Sequence, residues 1–177
     1  GYVFIGDGTF QITAASDGIQ AESTLQISGG SFHVTAGGGS SNTAQAASSD
    51  TDSAKGLKAG TAIEISGGTF QLDTYDDAVH SNGTLYVTGG EFTISTGDDG
   101  FHSDGELTIS DGTVQIDSSY EGIEGMQITI SGGEITVKAS DDGLNSAGGS
   151  DEMSAAPQYR FWDQANSDCW IRITGGT

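Results

Sequence analysis

The chain has 177 residues and sets 5 Lys+Arg against 25 Asp+Glu, a formal net charge of −20. That length suits one domain with a modest core, and so large an excess of carboxylates argues against nucleic acid or an anionic membrane surface as a partner. No run approaches the roughly 18 apolar residues of a membrane span, and a single cysteine excludes an internal disulfide framework.

Gly-Gly, or Asp-Gly in its place, recurs at positions 7, 29, 67, 89, 111, 132 and 175. The spacings are 22, 38, 22, 22, 21 and 43. Taking one period of 22 from each long gap leaves inserts of 16 and 21 residues, so the chain reads as six coils, two of them carrying loops.

In chain order each coil opens with five alternating residues: TFQIT at 9, SFHVT at 31, TFQLD at 69, EFTIS at 91, TVQID at 113 and EITVK at 134. A polar corner and a short strand follow, as in SDGIQA at 16, AKGLKA at 54, DDAVHS at 76, DDGFHS at 98, YEGIEG at 120 and DDGLNS at 141. A third alternating run closes the coil, TLQIS at 24 being the first and WIRIT at 170 the last. Period-2 alternation bounded by Gly, Asn and Asp marks strands, and no helical period competes. The expectation is an all-β parallel β-helix (solenoid) of about six 22-residue coils with three short strands per coil. Residues 1–177 form one domain, expected to belong to a longer chain, with loop insertions at 37–53 and 147–168. Interior columns follow by alignment: Phe10, Phe32, Phe70, Phe92, Val114 and Ile135 make one, and Ile19, Leu57, Val79, Phe101, Ile123 and Leu144 another.

The corner before the second strand carries Asp17, Lys55, Asp77, Asp99, Glu121 and Asp142, preceded by Ser16, Ala54, Asp76, Asp98, Tyr120 and Asp141. Carboxylates stacked one coil apart repel unless a cation sits between them. Oxygen-only ligands select a hard cation, so Ca2+ is expected at Asp76, Asp77, Asp98, Asp99, Glu121, Asp141 and Asp142. The alternative is that these residues simply make good turns. Lys55 supplies in one coil the fixed cation that the others lack. The column beside it, Gln20, Lys58, His80, His102, Glu124 and Asn145, offers a His pair one coil apart, too few ligands for a zinc site, and reads as an exposed polar ladder in which Lys58 is a weak candidate for a catalytic base. The second loop concentrates Tyr159, Phe161 and Trp162, which either cover the rod or, with Tyr75 and Tyr120, offer rings to a sugar.

The stretches SDGIQAES, KGLKAG, YEGIEGMQITISGGEITVKASDDGLNSAGG and SDCWIRITGGT resemble a family of secreted bacterial carbohydrate-binding proteins. The resemblance implies a right-handed β-helix distantly similar to pectate lyases, with calcium at the doubled-Asp corners, a polysaccharide partner such as cellulose or polygalacturonate, and a secreted or cell-surface location. A calcium-dependent binding module is the favoured function. A pectate lyase, and an extracellular rod that adds end to end, are the alternatives.

Overall fold

The computed structural model describes residues 1–43, 53–147 and 168–177. Among them the chain forms a single 15-stranded sheet and no helix. In chain order the strands are β1 (Tyr2–Ile5), β2 (Thr9–Ala14), β3 (Ile19–Ala21), β4 (Thr24–Ile27) and β5 (Ser31–Ala36). Next come β6 (Leu57–Ala59), β7 (Ala62–Ile65), β8 (Thr69–Thr74), β9 (Val79–Ser81) and β10 (Thr84–Thr96). The last are β11 (Phe101–Ser119), β12 (Ile123–Ile130), β13 (Glu134–Ala139), β14 (Leu144–Asn145) and β15 (Trp170–Ile173).

The strands pair in parallel with the matching strand of the next coil. β2 pairs β5, β5 pairs β8, and β8 pairs the second half of β10. The short strands stack as β3, β6, β9 and the start of β11. The molecule is therefore a β-solenoid of about six turns with about 22 residues in each. Alternation drives this closure. In the opening and closing runs the first and third residues face water and the second and fourth face the axis, and no single coil can bury its apolar side alone.

The interior columns fall where alignment places them. Phe10, Phe32, Phe70 and Phe92 pair in register, their rings 4.9, 4.8 and 4.6 Å apart and within 7° of parallel. Phe101 from the next strand then meets Phe92 edge-on at 5.3 Å and 73°. Leu25, Ile63, Leu85 and Leu107 fill the third side, fully buried.

Two features depart from the expected three separate strands per coil. In β10 and β11 the closing strand runs on through the boundary into the next opening strand, with register shifts at the boundary, such as those between Val87 and Glu91. The second boundary residue is always glycine because the bend needs a positive φ, 110° at Gly90 and 111° at Gly112. The first position has no such demand. Asp111 stands there, and its Oδ1 accepts the Gly112 amide at 2.8 Å. The second departure is a correction. His80 and His102, expected on an exposed ladder, are 3% and 2% exposed, because each ring folds back onto the corner acid three residues before it.

Candidate functional site

The acidic corner is built by the backbone. At this bend the corner residue's carbonyl accepts an amide from the preceding coil, as Asp99 does from Ala78 at 2.9 Å. The corner amide itself needs an acceptor, and the side chain one coil back provides it. Asp17 Oδ1 accepts the Lys55 amide at 2.9 Å, Asp77 Oδ1 that of Asp99 at 3.0 Å, and Asp99 Oδ1 that of Glu121 at 3.1 Å. Lys55 has no acceptor to offer, so the Asp77 amide turns instead to Asp76 Oδ1 at 2.9 Å.

The second oxygen of each acid meets a cation or a donor. Lys55 Nζ donates to Asp76 Oδ1 at 2.8 Å and to Asp77 Oδ2 at 2.5 Å. His80 Nδ1 lies 2.8 Å from the same Asp77 oxygen, and His102 Nδ1 lies 3.1 Å from Asp99 Oδ2. Asn145 donates to both oxygens of Glu121 at 2.8 and 2.9 Å. Asp77 is fully buried. Burial alone would raise its carboxyl, but the hydrogen bond with His80 and the charge of Lys55 overcome that and hold it well below the usual carboxylate range. Burial likewise opposes the charged form of Lys55, yet Asp77 and Asp76 hold its ammonium well above an ordinary lysine. Burial, followed by hydrogen bonds with Glu121 and Asp99, pushes Glu124 up to about 9.

Four triads of ligand atoms lie within 4.8 Å of one another among the described residues. Their donor chemistry separates them. Asp76, Asp77 and Asp98 form an oxygen set, but the Lys55 ammonium already bonds two of its members. Asp77, His80 and His102, and likewise Asp99, His102 and Glu124, bring imidazole nitrogen, which a hard cation does not favour. Glu121, Asp141 and Asp142 offer only oxygen, and Asp141 and Asp142 are exposed. Oxygen donors are what a hard cation takes, and in this set Asn145 already donates to both Glu121 oxygens.

Tyr120 stands beside this last triad and is 50% exposed. Its amide donates to the Asp98 carbonyl at 2.7 Å and its carbonyl accepts the Asp141 amide at 2.9 Å, which seats the ring between two acidic corners. A hydrogen bond with Asp141 and that residue's charge raise the Tyr120 phenol. Tyr75 is half-buried two coils away. Tyr159, Phe161 and Trp162 lie outside the described residues. Lys58 donates to Ser53 Oγ at 2.9 Å and lies 3.6 Å from Asp17 Oδ2.

Sequence reasoning missed one concavity. A groove of about 690 Å³ runs across the coils over the glycine boundary, floored by residues such as Gly68 and Gly90 and edged by Glu91, Asp111, Thr113 and Glu134. Its signal was present in the sequence: a Gly-Gly or Asp-Gly boundary followed by Thr69, Glu91, Thr113 and Glu134 in successive coils. It lies away from the acidic triads.

A family model described as "Carbohydrate-binding domain-containing protein" matches residues 1–100 and 98–177, which together span the chain. The comparisons with curated proteins and with solved structures return no match.

Proposed function

Since the chain belongs to the family of carbohydrate-binding domain-containing proteins, we propose that it binds an acidic, pectin-like polysaccharide outside the cell, bridged by calcium at Glu121, Asp141 and Asp142. The observation that carries this reading is the exposed Tyr120 ring standing against an all-oxygen triad. An aromatic face stacks on a sugar ring, and a hard cation beside it accepts the sugar's carboxylate. A chain of net charge −20 and a polyuronate repel each other, so a bridging cation is needed for contact.

Retention on immobilised polygalacturonate tests this reading. Binding in millimolar calcium should disappear on chelation, and both Tyr120→Ala and Asp141→Asn should weaken it at least tenfold. Retention that survives complete chelation would rule out the bridge. An ultraviolet-absorbing unsaturated product that is lost in Lys58→Ala would turn the reading to a lyase.

The glycine-floored groove favours a second reading, in which a neutral chain such as cellulose lies across the coils and hydrogen-bonds to Thr113 and Glu134. Such binding would be indifferent to calcium and to Tyr120→Ala.

A further inference from the structure

We infer that His102, Asp99 and Glu124 form a site for one divalent cation of the Zn2+ class, next to the calcium corner and sharing no ligand with it. The topology brings the three together. Asp99 closes a corner, His102 follows three residues later on β11, and Glu124 is the register partner of His102 on β12. His102 is buried and Glu124 half-buried, with 16% of the Glu124 side chain reaching solvent as a route for an ion.

Three carboxylate oxygens surround one imidazole nitrogen. His102 Nδ1 lies 3.1 Å from Asp99 Oδ2, 3.8 Å from Asp77 Oδ2 and 3.9 Å from Glu124 Oε2. A single N–H can point at only one of them. Lys55 already holds the Asp77 oxygen, which leaves Asp99 and Glu124 facing the ring. A tetrahedral ion with bonds of 2.0–2.2 Å holds its ligand atoms roughly 3.3 Å apart. The two distances from Nδ1, 3.1 and 3.9 Å, bracket that value.

The other side of the ring makes an independent case. His102 Nε2 lies 3.4 Å from Asp104 Oδ1, a buried oxygen with no hydrogen-bond partner. A proton on Nε2 would be drawn toward that oxygen. It would also leave the Nδ1 lone pair facing the carboxyl groups of Asp99 and Glu124, where one cation can be bound by all three. Carboxylate behind imidazole before metal is the usual way a protein sets the tautomer of a liganding histidine. The nitrogen donor selects a borderline metal over calcium. Asp104 is then a positioning residue.

Isothermal titration of chelator-stripped full chain with Zn2+ alone should show one tight equivalent, not displaced by a hundredfold excess of calcium. X-ray absorption at the zinc edge should report one imidazole among oxygen ligands. His102→Gln should weaken zinc at least a hundredfold and Asp104→Asn about tenfold, while His80→Gln leaves it unchanged. Thermal melts of each variant establish that it is folded. Absence of zinc binding would overturn the site, as would wild-type affinity in a folded His102→Gln. A spectrum with no imidazole or with two would also overturn it, the latter by moving the ion to His80. The spectrum is taken on wild-type protein, so it decides the question even if a variant fails to fold. None of these readouts involves sugar.

Discussion

Asp77 Oδ1 accepts the backbone amide of Asp99 at 3.0 Å, one coil further along the rod. This bond gives the corner carboxylates a structural task before any ligand is considered. Each one closes the amide that the bend of the next coil leaves open, which is why an acid recurs at 17, 77 and 99 and why its side chain is drawn inward. The repulsion expected of such a stack is met in the middle of the rod by Lys55 and the two histidines.

Removing the Lys55 ammonium should therefore be costly. Lys55→Met leaves Asp77 buried without its cation, for a loss of about 3–5 kcal/mol in denaturant unfolding. Lys55→Met combined with Asp77→Asn should lose less than the two single variants sum to. Strict additivity would show that the pair is uncoupled.

The same pair sets a pH window. The Asp77 carboxyl is depressed in the folded state, so its contribution is complete above the ordinary carboxylate value of about 3.9 and is lost as pH falls below it. The Lys55 ammonium is raised, so its contribution is complete below about 10.4 and fades above. The stability difference between wild type and Asp77→Asn should shrink as pH falls below about 4. Melting curves across that fall in pH measure it. A difference that grew on acidification would refute the assignment.

Phe70 is stacked on both faces, against Phe32 and Phe92. Phe70→Ala should cost about 3–5 kcal/mol, at the upper end of core truncations, and Phe70→Leu clearly less. Phe10 is only partly buried. Phe10→Ala should cost less than Phe70→Ala, and equal losses would mean that stacking on both faces adds nothing.

Two glycines should behave oppositely. Gly90 adopts φ 110°, so Gly90→Ala forces a side chain into a left-handed backbone, at about 1–3 kcal/mol. Gly143 has no atom within 4 Å of an added Cβ and no such φ. Gly143→Ala should leave the melting temperature within about a degree of wild type, as open surface substitutions do.

Most of the fold was legible because every coil repeats one apolar alternation. A register slip would turn Phe32 or Leu72 to water, so the columns could be written from spacing alone. The corner was harder. Period-2 alternation assigns His80 and His102 to the outer face, and that count is correct for the backbone. It carries no information on a ring that turns back to bond Asp77 or Asp99. Nor does spacing show that a corner aspartate serves an amide 22 residues away, since that depends on which groups the bend leaves unpaired. Asp104, whose unsatisfied oxygen lies behind His102, stands at a turn position held by Glu22, Gly60 and Asn82 in other coils, so no shared residue type marks it.

Phe32 and Phe70 are 38 residues apart in the chain and Phe70 and Phe92 are 22 apart, yet the ring separations are 4.8 and 4.6 Å. The sheet is thus indifferent to how much chain leaves and rejoins it at a bend, and closing the longer excursion costs only about 0.5 kcal/mol more. An extra residue within a strand would instead put every later coil out of phase. The rod behaves as a ruler whose divisions are set by backbone pairing. Segments hung from its corners can change length and composition freely, and diversity in what such a molecule recognises should accumulate there while the graduation stays constant.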